Sequence, residues 1–173
     1  MFDKVLITYA TKHGSTTEIA DKIAETMVSA GVHAVALPVE HVNDLTPYSA
    51  VVLGSGVYAG QWCKDAANFL KMHEKELAER PVWLFSSGPT GEGEAETLLK
   101  GWHFPNDLQA VADRIHPREI AVFHGDLDDK KLNLLEKVIV KGVKAPMGDY
   151  RNWYEIIAWA QHIAEELKQP VPA

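Results

Sequence analysis

A lysine, a glycine and three hydroxyl side chains fall within six residues of this chain, in the segment 11–16, which reads Thr-Lys-His-Gly-Ser-Thr. Hydroxyls and N–H groups donate hydrogen bonds, and a glycine lets the backbone approach a ligand closely. This composition suits a bound phosphate better than it suits a plain turn. No Gly-Lys-Ser/Thr ending follows at the spacing of a Walker A loop, so the segment is not that motif.

The segments beside this loop predict a strand before it and a helix after it. Residues 4–9 form an apolar, β-branched run of strand length, and Ile19, Ile23 and Met27 recur at helical spacing. A helix N-terminus offers unpaired backbone N–H groups and a partial positive charge, so a loop that opens a helix is a natural anion site. We therefore predict that this loop binds a phosphate.

A capping box is the alternative interpretation of the same loop. Ser15 and Glu18 have the Ser-x-x-Glu spacing that caps a helix without any ligand. Capping leaves Thr11, Lys12 and Thr16 without a role, which favours the phosphate.

Apolar runs and helical periods alternate along the rest of the chain. Further strands are predicted at 33–39, 50–55, 81–86 and 119–123, and helices at 62–79, 106–114, 132–143 and 152–167. This alternation is typical of an α/β fold with a parallel sheet. No linker is evident in the 173 residues, so we expect a single domain over 1–173.

Two later loops, at 55–62 and 87–93, also follow buried strands. Ligands of parallel sheets lie beyond the carboxyl ends of the strands, where the strand order reverses, so the three loops predict one site. Gly54, Gly56 and Ala59 have the spacing of the dinucleotide fingerprint, but the next strand ends without the acidic residue that the fingerprint requires. A nicotinamide-binding dehydrogenase is therefore the less favoured alternative.

A flavin fits these loops better than a dinucleotide does. Its ring needs apolar or aromatic walls, which Tyr58 and Trp62 can supply, and backbone groups for its polar edge. The third loop is rich in glycine and can offer such groups through Pro89, Thr90 and Gly91.

Charge and cysteine content exclude several other classes of function. A formal net charge of −7 argues against nucleic acid and anionic membranes, and permits docking onto a basic redox partner. The single Cys63 excludes an internal disulfide, a thiolate zinc site and an iron–sulfur cluster.

The eight histidines are scattered without metal-binding spacing, so we expect no metal site. No signal peptide or membrane-length apolar run occurs, which predicts a cytoplasmic protein without an integral membrane segment, of unspecified oligomeric state.

Residues 9–16, which read Tyr-Ala-Thr-Lys-His-Gly-Ser-Thr, resemble the phosphate loop of the flavodoxin family, and the resemblance covers essentially the whole chain. The segments 57–62 and 147–153 are similar to the single-domain group that contains the menaquinone-dependent (oxygen-independent) protoporphyrinogen oxidase. The resemblance implies a flavodoxin-like three-layer α/β sandwich, with a five-stranded parallel sheet in the order 2-1-3-4-5 and helices on both faces. It also implies a non-covalent FMN cofactor. The predicted cofactor-binding residues are Thr11, Lys12, His13, Gly14, Ser15, Thr16, Ser55, Gly56, Val57, Tyr58, Gly60, Trp62, Ser87, Gly88, Pro89, Thr90 and Gly91.

The function that the resemblance implies is that of a flavodoxin-like redox protein, which passes electrons through FMN to a partner protein or a quinone. No side chain is expected to act as an obligatory acid or base. Residues 91–113 are acidic where the oxidase group carries a basic segment, and this favours an electron carrier. The alternative is a menaquinone-dependent protoporphyrinogen IX dehydrogenase or oxidase of heme biosynthesis.

Overall fold

A computed structural model describes residues 4–88, 102–127, 134–143 and 148–169 of the chain. The strands are β1 (Lys4–Ala10), β2 (His33–Pro38), β3 (Ala50–Tyr58), β4 (Gln61–Trp62), β5 (Val82–Ser87), β6 (Glu119–Phe123), β7 (Asp126–Leu127) and β8 (Gly148–Asp149). The α-helices are α1 (Ser15–Ser29), α2 (Lys64–Met72), α3 (Glu74–Leu77), α4 (Gln109–Ile115), α5 (Leu134–Val143) and α6 (Trp153–Lys168). Short 3₁₀ turns lie at Val39–His41 and Asn106–Leu108.

The five long strands form a parallel sheet in the order β2-β1-β3-β5-β6. Without the two-residue β4, which pairs only with β3, this is the predicted order 2-1-3-4-5, so the predicted fold class is confirmed. Strand β2 lies on one side of β1 and the later strands lie on the other side, so the strand order reverses at β1. The register sets Ala10 beside Ser55, and Ser55 beside Ser86. The carboxyl ends of β1, β3 and β5 therefore meet at one edge.

Each face of the sheet is covered by its own hydrophobic core. Helices α1 and α6 cover one face, where Ile23 and Ile163 pack with Phe85. Helices α2 and α4 cover the other face, where Leu70 and Ile115 belong to a second buried cluster. Continuous apolar strands are typical of a sheet that is buried on both sides, which is why the strand positions were predictable.

The prediction of one helix over 62–79 is wrong in its first part and in its continuity. Residues 61–62 form β4, α2 begins only at Lys64, and the helix is interrupted at His73 before α3. Trp62 pairs with Val57 across an antiparallel hairpin, so its apolar side chain belongs to a strand period and not to a helical one. Among the helices within the described ranges, none has the length and apolar character that a membrane crossing requires.

Candidate functional site

The loop 11–16 joins β1 to α1 with an open, uncapped helix start. Gly14 is the N-cap residue, has a left-handed φ of 91°, and donates its N–H to Thr11 Oγ1 at 3.1 Å. In the described parts of the chain no side chain caps this helix, and a Cβ added at Gly14 would meet no atom within 4 Å. The first N–H groups of an α-helix have no partner within the helix. The loop therefore has the donors and the space that an anion needs.

The capping-box alternative is not what the structure shows. Ser15 lies inside the first turn of α1, and its carbonyl oxygen accepts a hydrogen bond from Nη1 of Arg151 at 3.2 Å. Glu18 forms an ion pair with the same guanidinium at 3.2 Å. Neither residue therefore has the reciprocal contacts of a capping box.

The hydroxyl of Thr16 points into the protein. Thr16 is fully buried, and its Oγ1 lies 3.2 Å from Oγ of Ser87 at the end of β5. A Cβ added at Gly56 would lie 3.3 Å from the same oxygen. Thr16 thus links the first loop to the ends of β3 and β5, while Thr11 and Ser15 are only half-buried.

Glu136 on α5 contacts the two basic side chains of the first loop. Its Oε2 lies 3.0 Å from Nε2 of His13 and 3.8 Å from Nζ of Lys12. The Glu136 side chain is 14% exposed, so this carboxylate is mostly shielded from water. The sequence did not reveal this residue, because it lies 123 positions from His13 in the chain.

Arg151 fastens the start of α1 to the segment that precedes α6. Its guanidinium is bonded to Asp149 at 2.7 Å, lies 3.7 Å from Asp126, and stacks over Trp153 at 4.8 Å. Hydrogen bonds and ion pairs with these carboxylates raise the pKa of Arg151, so it stays charged throughout the accessible pH range. Arg151 also donates a hydrogen bond to the Ser15 carbonyl and thereby stabilises the first turn of α1.

The second loop is a tight β-hairpin between β3 and β4. Tyr58 pairs with Gln61, and the two residues between them, Ala59 and Gly60, have positive φ angles of 51° and 75°. A two-residue loop of this kind is typical of a type I′ turn. The strand therefore does not lead directly into a helix, as the dinucleotide fingerprint requires. The nicotinamide interpretation of this segment is wrong.

Packing accounts for the two glycines that imitate the fingerprint. A Cβ at Gly54 would lie 2.0 Å from the ring of Phe85, and one at Gly56 would lie 3.1 Å from the Tyr58 ring. Ser55, between them, is fully buried. Its hydroxyl donates to the Gly56 carbonyl at 2.8 Å and accepts from the Cys63 N–H at 2.9 Å.

Tyr58 lies across the first loop. Its hydroxyl accepts a hydrogen bond from the Lys12 N–H at 3.3 Å, and Nζ of Lys12 lies 4.8 Å from the centre of its ring. The His13 ring meets it edge-on at 6.2 Å. Burial raises the pKa of Tyr58, which keeps the phenol neutral and able to donate a hydrogen bond. The structure thus brings Tyr58 directly to the predicted phosphate loop.

Trp62, the other predicted ring wall, is a core residue in this structure. Its side chain is buried, its Nε1 donates to Ser86 Oγ at 2.8 Å, and it packs edge-on against Phe104 at 5.2 Å. A buried, hydrogen-bonded indole presents no open face to a ligand. Of the two aromatic residues, only Tyr58 lies beside the first loop.

Two residues of the third loop lie within the described part of the chain. Ser87 ends β5 beside Gly56, and the N–H of Gly88 donates to the Phe123 carbonyl at 3.2 Å. A Cβ at Gly88 would lie 3.1 Å from that of Val57, so the second and third loops pack closely. The remaining predicted contacts, Pro89, Thr90 and Gly91, lie outside the described residues.

A cavity of about 430 Å³ adjoins the first loop on the side of β2. Its walls include Thr11 and Lys12, together with Pro38, Cys63 and Lys64. Burial raises the pKa of the Cys63 thiol, which keeps it protonated and unreactive at neutral pH. Neither Tyr58 of the second loop nor Ser87 of the third loop lines it, so among the described residues the cavity belongs to the β2 side of the first loop.

Comparison with known proteins agrees with this geometry. A family model described as a flavodoxin domain matches residues 6–152. The chain belongs to the flavodoxin family. Proteins of this family bind FMN, so the predicted cofactor is confirmed at the level of the family. An uncapped helix start with open space at Gly14 fits the phosphate of that cofactor.

The individual proteins that resemble this chain have low sequence identity to it. The chain is 26% identical over 162 residues to a protoporphyrinogen IX dehydrogenase [quinone] from Leishmania major, which covers 89% of this chain and 68% of that protein. It is 21% identical over 178 residues to the protein of the same name from Escherichia coli K12, with 96% and 98% covered. A solved flavodoxin from the domain Archaea superposes with a TM-score of 0.60 at 16% identity, over 96% of this chain and 99% of that one. At this identity the structural likeness shows the fold alone.

Proposed function

We propose that this flavodoxin-family chain passes electrons through a non-covalent FMN, with the cofactor phosphate at the start of α1. The observation that supports this most is the open turn at Gly14, where no described side chain caps the helix. A phosphate there would accept hydrogen bonds from backbone N–H groups and from the hydroxyls of Thr11 and Ser15. FMN supplies the redox chemistry when it is bound.

The protein residues in this proposal position the cofactor and set its electrostatic surroundings. Tyr58 lies over the loop and offers an aromatic face, while Thr16 and Ser87 tie the loop to the neighbouring strand ends. Glu136 and Arg151 place one negative and one positive charge near the helix start. No side chain of this set needs to transfer a proton in electron transfer.

Titration of the cofactor-free protein with FMN and with riboflavin tests the proposal. We expect flavin absorption bands in the reconstituted protein and binding of FMN that is at least tenfold tighter than that of riboflavin, since riboflavin lacks the phosphate. FAD should bind no better than FMN, because the first loop offers donors for one terminal phosphate. Equal affinity for riboflavin and FMN would contradict the placement of the phosphate.

A second candidate function is the quinone-linked oxidation of protoporphyrinogen IX. It is supported by the names of the Leishmania major and Escherichia coli relatives and by the similar segment 147–153. The acidic segment 91–113 favours an electron carrier with a partner protein instead. The test is turnover of protoporphyrinogen with a menaquinone analogue by the FMN-loaded protein. Turnover would establish the oxidoreductase, and its absence in a protein that still reduces a redox partner would favour the carrier.

A further inference from the structure

Three potential metal ligands converge on the surface, where the edge strand of the sheet meets the last helix. His162 and Glu166 are four residues apart on α6, and Glu119 begins β6. One ligand atom from each residue, an imidazole nitrogen or a carboxylate oxygen, lies within 4.8 Å of the other two. Nε2 of His162 is 2.7 Å from Oε1 of Glu166 and 3.8 Å from Oε1 of Glu119.

These distances are close to those of a metal centre. Zinc ligands lie about 2.0–2.2 Å from the ion, so two ligand atoms of a tetrahedral site are about 3.4 Å apart. The two separations from His162 Nε2 differ from that value by less than about 1 Å, and the ligand oxygens of Glu119 and Glu166 lie within 4.8 Å of each other. Rotation of exposed side chains can supply such a shift without a movement of the backbone.

Neighbouring side chains hold both carboxylates by their other oxygens. The indole Nε1 of Trp159 donates to Oε2 of Glu119 at 3.2 Å, and Arg118 donates to Oε2 of Glu166 at 3.3 Å. Arg118 is itself stacked over the Trp83 ring at 5.3 Å. Partners of this kind orient metal ligands, and they leave the two Oε1 atoms facing His162.

We propose that Glu119, His162 and Glu166 bind a divalent transition-metal ion such as Zn²⁺, which clamps the start of β6 to α6. One imidazole and two carboxylates suit zinc, whereas a site for Mg²⁺ or Ca²⁺ would use oxygen ligands alone. His162 is 56% exposed and Glu119 is 44% exposed, so the ion can enter from solvent and keep water as a fourth ligand. The site is separate from the phosphate loop and does not depend on FMN.

The sequence alone predicts no metal site, because the eight histidines are scattered without metal-binding spacing. The third ligand, Glu119, lies 43 positions before His162 and comes from the sheet, so spacing along the helix could not reveal it.

Isothermal titration of the metal-free protein with Zn²⁺ tests this site directly. We expect one ion per chain, and at least tenfold weaker binding in His162→Ala and in Glu119→Gln. Glu165→Gln is the matched control, because Glu165 is exposed on the same helix and lies outside the group. Mg²⁺ at the same concentration should neither bind comparably nor displace Zn²⁺.

Several outcomes would overturn the site. Undetectable zinc binding by the wild type, or an unchanged zinc affinity in His162→Ala, would contradict the proposed site. Equal competition by Mg²⁺ would show only a non-selective acidic surface. A second readout is the thermal shift: zinc should raise the melting temperature of the wild type and of Glu165→Gln, but not that of His162→Ala.

Discussion

Glu136 lies against His13, with its Oε2 atom 3.0 Å from the imidazole Nε2. A carboxylate is thereby held beside the loop that we assign to an anionic phosphate. The same oxygen is 3.8 Å from Nζ of Lys12, so Glu136 contacts both basic side chains of the loop. The negative charge of Glu136 therefore disfavours a bound phosphate in two ways. It repels the phosphate directly, and it pairs with the basic side chains that would attract the phosphate.

Glu136→Gln is therefore expected to strengthen FMN binding. Removal of one partly shielded charge should be worth about 0.5–1 kcal/mol, or a two- to fivefold lower dissociation constant. The gain should shrink in 0.5 M salt, because salt screens the repulsion. Riboflavin, which carries no phosphate, is the control ligand and should bind both proteins equally. Weaker FMN binding by the variant would mean that Glu136 supports the loop more than it repels the ligand.

Substitution of Tyr58 should affect flavin binding, whereas substitution of Trp62 should affect the stability of the fold. Tyr58→Ala is expected to weaken FMN binding by about 1 kcal/mol and to reduce the quenching of flavin fluorescence, since it removes the aromatic face beside the loop. Trp62→Phe should keep the quenching and instead lower the free energy of unfolding by about 1 kcal/mol, because the bond to Ser86 is lost. Fluorescence titration and urea unfolding measure the two effects. Quenching that depends on Trp62 and not on Tyr58 would place the ring elsewhere.

Features that depend on short stretches of sequence were predictable. The strands are continuous apolar runs, and the first loop combines glycine with hydroxyls, so both could be identified from neighbouring residues. The contacts of Arg151 and Glu136 could not, since their partners in the loop lie 136 and 123 positions away. The sequence pattern predicts a helix that includes Trp62, because a two-residue strand is too short to show an alternating pattern.

Breaking the contacts of Arg151 should destabilise the fold strongly. Its side chain is 5% exposed and forms ion pairs with Glu18, Asp126 and Asp149, so Arg151→Gln removes several charge-assisted contacts at once and should cost about 2 kcal/mol. The matched control is Arg114→Gln. Arg114 is 59% exposed and pairs with Glu74 on the surface, so this change should cost less than about 1 kcal/mol. Urea unfolding measures both, and equal losses would show that the Arg151 contacts are no stronger than a surface pair.

Cys63 should react slowly with iodoacetamide at neutral pH. Burial disfavours its thiolate and raises the pKa, so the alkylation rate of the folded protein should keep rising above the pH at which an ordinary thiol levels off. Because the folded pKa exceeds the unfolded one, stability should also fall as the pH rises through this range. The urea-unfolded protein is the control, and its single thiol should titrate normally. A reaction rate that already levels off at neutral pH would contradict the raised pKa.

The last prediction concerns the hydroxyl of Ser15, which lies in the first turn of α1 and is half-buried. A hydrogen bond to a charged group is typically worth about 1.5–3 kcal/mol, so Ser15→Ala should weaken FMN binding by about tenfold or more, while riboflavin affinity barely changes. Thr16→Ala should also weaken FMN binding, but it should lower the stability of the cofactor-free protein as well, because Thr16 is buried against Ser87.

Thr26→Ala is the matched control for both variants. Thr26 lies in the same helix and donates its hydroxyl to the Lys22 carbonyl, far from the loop, so its loss affects the helix and not the ligand. Parallel titrations with FMN and riboflavin, together with the FMN-dependent rise in melting temperature, measure the outcome. If Ser15→Ala kept the FMN affinity and thermal shift of Thr26→Ala, the backbone N–H groups alone would hold the phosphate.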